Sequence, residues 1–154
     1  MIGAGSWGAA IAAALVRAGQ NVTVLARRAA QVEALAAGRC LRLPDNAAIA
    51  PIKATLDPAV IDHASLIFVA VPVAANAENF DLIATRQQNK PASTIVLCAK
   101  GITVTAGGDA ALLPDLAAQY LPAHPLAVFS GPSFADEVFS GLPAALVPMV
   151  VKVL

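Results

Sequence analysis

The chain has 154 residues, ten acidic and ten basic side chains for a formal charge of zero, and 58% apolar residues, many of them alanine. That length fits one domain, and no apolar run reaches the roughly 18 residues that span a bilayer. With no basic run beyond Arg27-Arg28 the balance argues against a nucleic-acid partner, and no charged start leads into an apolar stretch and cleavage site.

The chain opens on Gly3-Ala4-Gly5-Ser6-Trp7-Gly8, a complete G-x-G-x-x-G preceded only by Met1 and Ile2. Residues 9–18 are strong helix formers with Ile11 and Leu15 on one face, and Gly19 follows as a stop. Residues 21–26 read as a buried parallel strand and about 29–37 as a helix ended by Gly38. After an irregular stretch over 39–51, which holds Leu43-Pro44-Asp45-Asn46, a short strand is predicted near 52–54. Asp57-Pro58 then combines an N-cap with proline at the first helical position. Residues 66–71 form a near-continuous apolar strand closed by Pro72, and about 73–86 form a helix with Val73, Ala77, Phe80 and Ala84 on one face. A strand at 93–98, a helix at 109–120, a strand at 126–129 and a short helix opened by Gly131-Pro132-Ser133-Phe134 complete the pattern. Alternating helices and apolar strands predict an α/β fold, a doubly wound parallel sheet of Rossmann-like type whose first strand is nearly missing.

A G-x-G-x-x-G between strand and helix serves a dinucleotide. Its first glycine makes the tight turn, the second admits the pyrophosphate and the third lets helix pack on strand. Glycines that serve packing alone are the alternative. About twenty residues on, where an NAD site places an acid for the ribose, stand Arg27 and Arg28, and no acid occurs before Glu33. Two guanidiniums suit a 2′-phosphate, so NADP is expected to be preferred and NAD second; two solvated arginines are the plainer reading. Lys100 follows the apolar run 95–99 and points to a phosphate or a reacting oxygen in the ligand crevice, or to a surface lysine. In Gly131-Pro132-Ser133-Phe134-Ala135 the backbone and the Ser133 hydroxyl suit an anion, or Ser133 caps the following helix. His63 and His124 are expected at the solvated surface, and Cys40 and Cys98 as buried thiols of a reducing, cytoplasmic compartment with no metal-ligand spacing.

Seven motifs in order then resemble one family, bacterial NAD(P)-dependent glycerol-3-phosphate dehydrogenase. They are Gly-Ala-Gly-Ser-Trp-Gly at 3–8, Leu-Ala-Arg-Arg at 25–28, Leu-Pro-Asp at 43–45, Val-Ala-Val-Pro at 69–72, Ala-Lys-Gly at 99–101, Ser-Gly-Pro-Ser-Phe-Ala at 130–135 and Gly-Leu-Pro at 141–143. The resemblance covers residues 1–147, an NAD(P)-binding domain, and is lost in a divergent tail at 148–154. It implies reversible hydride transfer between sn-glycerol 3-phosphate and dihydroxyacetone phosphate, supplying glycerophospholipid synthesis. By the same resemblance Gly3, Gly5, Ser6, Trp7, Gly8, Arg27, Arg28, Lys100 and Ala135 serve the cofactor, while Lys100, Gly131 and Ser133 serve the substrate. The family's main catalytic lysine belongs to a helical second domain absent here, so no catalytic residue is assigned in this chain. It is expected to act as a cofactor-binding fragment without full turnover. The resemblance leaves a homodimer open. A stand-alone or degenerate dinucleotide module and another reductase of the superfamily, such as a ketopantoate reductase, are the competing readings.

Overall fold

A computed structural model describes every residue except 44, 46, 47, 105–107, 153 and 154, so Pro44 and Asn46 of the 43–46 stretch and the end of the tail lie outside the described residues. In chain order it comprises α1 (Ser6–Arg17), β1 (Thr23–Leu25), α2 (Ala29–Ala36), β2 (Lys53–Thr55), a 3-10 helix (Pro58–His63) and β3 (Leu66–Val69). A 3-10 turn (Val73–Ala75) runs into α3 (Asn76–Arg86), followed by β4 (Thr94–Leu97), β5 (Ile102–Val104), β6 (Ala110–Leu112), α4 (Leu113–Tyr120), β7 (Leu126–Ser130), α5 (Ala135–Ser140) and β8 (Val147–Lys152). Two compact units result, one of Met1–Val60 with Gly131–Leu146, the other of Ile61–Ser130 with Val147–Leu154.

In the first unit β1 and β2 pair in parallel, Val24 opposite Ala54, with α2 as their crossover. Met1 and Ile2 lie along the other side of β1. Ile2 forms a single parallel bridge to Leu25, whose N–H donates to the Met1 carbonyl at 2.8 Å, and the Gly3 N–H donates to the Leu25 carbonyl at 3.0 Å. Ala9, Ala10, Ala12 and Ala13 of α1 are fully buried, so the helix axis can approach its neighbours closely. The bulk of this core comes instead from Val24, Leu35, Ile52 and Phe139. Phe139 arrives on α5, which packs on α1. The Arg17 guanidinium donates to the Phe139 carbonyl at 2.8 Å and to the Val138 carbonyl, placing a cation at the C-terminus of α5, where the helix dipole favours one.

In the second unit β3, β4 and β7 are parallel and β8 pairs antiparallel on β7. Ile67, Val69, Ile95, Val96, Leu97 and Leu126 are buried, as near-continuous apolar strands require. Phe68 and Phe129 meet edge to face at 5.9 Å, and Phe80 of α3 meets Tyr120 of α4 at 6.2 Å.

Several expectations are corrected. Asp57 does cap, its Oδ1 accepting from the Ala59 N–H at 2.9 Å, but it opens a 3-10 helix rather than an α-helix. The buried face of α3 is Asn76, Phe80 and Ile83, continued by Gln87 just beyond it, so it shares Phe80 with the expected stripe but is rotated from it around the helix. Gln87 Nε2 bonds the Ile61 carbonyl at 2.8 Å, so its polar group is satisfied inside. Residues 110–112 are strand, not helix, paired antiparallel with β5, and α4 begins only at Leu113. His124 is buried rather than solvated, its Nδ1 lying 3.0 Å from the Ser93 carbonyl, whereas His63 is exposed.

Candidate functional site

The glycine loop sits between the Met1–Ile2 segment and α1. Gly3 adopts φ 104°, a left-handed conformation that side chains resist. Gly5 has an ordinary extended backbone, φ −77° and ψ −178°, and caps α1 without a side-chain bond; the first turn holds no acid. The first intrahelical bond runs from the Ala9 N–H to the Gly5 carbonyl, so the amides of Ser6, Trp7 and Gly8 have no partner within the helix. A Cβ built on Gly5 would meet nothing within 4 Å. The open space over Gly5 and the uncapped positive end of α1 together fit a pyrophosphate. Ser6 and Trp7 are half-buried, Trp7 against the unit's core, and Gly8 is buried within α1.

Arg27 and Arg28 follow β1 after one intervening residue, the buried Ala26, and both are exposed. Arg28 is the N-cap residue of α2, whose first turn contains no acid. The sheet ladder ends with the Ala26 N–H donating to the Thr55 carbonyl at 2.9 Å. Beyond it the Arg27 N–H donates to Gln31 Oε1 at 3.3 Å, and Gln31 Nε2 donates to the Ala4 carbonyl at 3.2 Å. Sequence reasoning passed over Gln31; its signal was a glutamine three residues after the N-cap of a helix, where such a side chain reaches back to amides.

Gly131, Ser133 and Ala135 belong to the same unit as the glycine loop. A Cβ on Gly131 would run into the Ala145 carbonyl and stand 3.0 Å from Leu146 Cα, which explains glycine there by packing. Ser133 does not cap α5, whose N-cap residue is Phe134 with no side-chain bond. Its Oγ is buried and has no hydrogen-bond partner. An orphaned buried hydroxyl costs free energy that a bound polar group recovers. Ala135 packs against the core that Trp7 also touches.

Lys100 lies in the other unit, exposed beyond the carboxyl end of β4. Next to it Gly101 adopts φ 155°, and a Cβ there would stand 2.8 Å from Val73 Cγ2. The carboxyl end of β4 thus meets the turn that follows β3. At that turn Asn76 is fully buried, its Nδ2 donating to the carbonyls of Pro72 at 3.0 Å and Val73 at 3.2 Å, while its Oδ1 has no partner. Both cysteines are buried free thiols, and burial pushes Cys98 up to about 12, where it is inert as a nucleophile. Among the described residues no group of three or more His, Cys, Asp or Glu side chains could hold a metal ion.

The sequence profile described as NAD-dependent glycerol-3-phosphate dehydrogenase N-terminus matches residues 1–151. A protein of Mesorhizobium japonicum named glycerol-3-phosphate dehydrogenase, NAD(P)+, is 39% identical over 149 residues, covering 96% of this chain and 42% of the relative. One of the same name from Caulobacter vibrioides is 40% identical over 148 residues, covering 95% and 43%. A crystal structure of glycerol-3-phosphate dehydrogenase from Coxiella burnetii superposes with a TM-score of 0.78 at 34% identity, over 94% of this chain and 44% of that one. The chain therefore spans less than half the length of the relatives it matches.

Proposed function

Since the chain belongs to the NAD-dependent glycerol-3-phosphate dehydrogenase N-terminus family, we propose that it is the dinucleotide-binding part of an enzyme interconverting sn-glycerol 3-phosphate and dihydroxyacetone phosphate, with NADP preferred to NAD. The observation that carries this reading is the open, uncapped end of α1 over Gly5, in one unit with an Arg27-Arg28 pair where a carboxylate would exclude a 2′-phosphate. The bound nicotinamide supplies or accepts the hydride. This chain's residues bind and orient. The amides of Ser6 and Trp7 and the backbone at Gly3, Gly5 and Gly8 receive the pyrophosphate, and the guanidiniums of Arg27 and Arg28 receive the 2′-phosphate through charge-assisted bonds. Ala135 borders the cofactor. The unpartnered Ser133 hydroxyl and the backbone at Gly131 suit a polar substrate group, and the Lys100 ammonium suits the substrate phosphate or the cofactor.

The same reading places the enzyme at the supply of glycerol backbones for phospholipids, in the cytoplasm, and allows a homodimer. Two free buried thiols support a reducing compartment, and no helix among the described residues is long and apolar enough to cross a membrane. Sedimentation of the purified chain reads the dimer. The cofactor assignment is tested by fluorescence titration with NADPH and NADH at fixed salt. NADPH is expected to bind about tenfold or more tightly, the worth of one charge-assisted contact. Equal affinity, or tighter NADH, overturns the preference, and binding of neither overturns the reading. Turnover by this chain with dihydroxyacetone phosphate is expected below one hundredth of an ordinary rate of about 10 s⁻¹.

A further inference from the structure

Two parts of the cofactor site, the glycine loop and the end of β1, are far apart in sequence, and one side chain joins them. Gln31 lies in the first turn of α2; its Oε1 accepts from the Arg27 N–H at 3.3 Å and its Nε2 donates to the Ala4 carbonyl at 3.2 Å. Ala4 is buried between Gly3 and Gly5, and the Arg27 N–H is the first amide past the last ladder bond of β1. The amide orientation is fixed by this pairing, because the reverse would set NH2 against an N–H and oxygen against a carbonyl. Only a carboxamide of this length offers both groups. Glutamate keeps the acceptor and loses the donor, methionine keeps the shape and loses both, and asparagine is one methylene short. We propose that Gln31 is a positioning residue that holds Arg27 in register with the glycine loop, so that one nucleotide can place its pyrophosphate over Gly5 and its 2′-phosphate at Arg27 together. This rests on the cofactor reading above. Gln31 touches no nucleotide; it acts through the backbone of Ala4 and Arg27.

A purely structural role and a positioning role differ in one observable, the ratio of NADPH to NADH affinity. Both nucleotides carry the pyrophosphate, but only NADPH carries the group that Arg27 meets. Losing a helix-start bond alone lowers the melting temperature and shifts both affinities by one factor. Losing the register weakens NADPH more than NADH. Titration of the whole chain and of Gln31→Met is expected to show NADPH binding fall about tenfold and NADH binding about threefold at most, the tenfold being one well-made hydrogen bond. Gln31→Glu retains the Arg27 bond, sets a carboxylate against the Ala4 carbonyl, and is expected to lower the ratio at least as far. In an Arg27→Ala background Gln31→Met should leave the ratio unchanged. Equal factors for the two nucleotides, or no change, in either Gln31 variant overturn the proposal while leaving the cofactor reading intact. A wild-type chain that binds neither nucleotide, or both equally, overturns the phosphate role of Arg27 and this proposal with it. Should Gln31→Met not fold, Gln31→Leu, which also loses both groups and adds no charge near the 2′-phosphate, supplies the deciding ratio.

Discussion

Replacing Gly5 by alanine should leave stability almost unchanged while it removes nucleotide binding. The backbone at Gly5 is extended, φ −77° and ψ −178°, a conformation any residue adopts. A Cβ there meets no atom within 4 Å, so no packing reason for glycine exists in the protein itself. By restricting the unfolded chain, alanine gains about 0.4–1 kcal/mol, but at the N-cap of α1 it is a poorer residue than glycine and loses a similar amount. The two nearly cancel, so the melting temperature should stay within about 3 °C of wild type. A nucleotide placed on the uncapped amides of α1 would meet the new methyl group at the pyrophosphate. Forcing that group back breaks two or more charge-assisted bonds from amides, each worth about 1.5–3 kcal/mol. Affinity for NADPH should therefore fall at least about 100-fold. Thermal unfolding without ligand gives the first quantity and fluorescence titration with NADPH the second. If Gly5→Ala binds NADPH within threefold of wild type, the open space over Gly5 is not the pyrophosphate site. If it melts several degrees lower instead, the backbone argument is wrong.

Phe139 is fully buried among the alanines of α1, and Phe139→Ala should cost about 3–5 kcal/mol, read as a urea midpoint lowered by about 1.5–2.5 M; Phe134→Ala, at an exposed position, should change it by less than about 0.5 kcal/mol. Cys98 is held neutral by burial up to about 12 while the unfolded thiol ionises near 9.0, so stability falls as pH rises through that window. Between pH 8 and pH 10 wild type should lose about 1.4 kcal/mol more than Cys98→Ala, and equal losses would contradict the burial. Burial alone would raise the Asp62 carboxyl, but hydrogen bonds and charge from Arg86, at 2.7 Å, and Lys90, at 3.2 Å, outweigh it and hold it below 3.8. Its contribution is present above that value and lost as pH falls through the folded-state value, so wild type should exceed Asp62→Asn in melting temperature at pH 7 and converge with it in acid.

The loop, helix and strand from Gly3 to Leu25 were legible because each glycine, each alanine and each β-branched residue agrees locally with the fold it occupies. The apolar strands β3, β4 and β7 were legible for the same reason. Periodicity failed where polarity is buried or apolarity exposed. The stripe on α3 is turned by Asn76 and continued beyond the helix by Gln87, two polar side chains that satisfy carbonyls inside the protein. His124 was misplaced on the same account. In β5 the alternation is inverted, with Ile102 and Val104 exposed and Thr103 half-buried. Leu112 falls at helical spacing from Leu116 yet stands exposed in β6, which extended the expected helix backward. Pro148 disguised β8, since proline argues against a strand anywhere but an edge. Of the candidate site, the glycine loop, the Arg27-Arg28 pair and Lys100 were picked out by residue type and spacing alone. Of the side chains that brace this part of the fold, Gln31 left only its place in the first turn of α2 as a signal and Arg17 left none, because their bonds go to backbone atoms distant in the chain.

The first unit draws its core from both ends of the chain, and this sets the order in which it can be assembled. Residues 1–60 leave the ribosome with the alanine face of α1 finished but without Phe139 and Val138, which arrive only after residues 61–130 have been made. At about 5–20 residues per second, that wait lasts on the order of ten seconds. Closing so long a loop also adds an entropic toll to the folding barrier. During synthesis α1 is therefore complete in sequence long before the helix it packs on exists. A nascent chain arrested short of α5 should be the form most open to chaperones and proteases, and one arrested past Leu146 should be markedly less so.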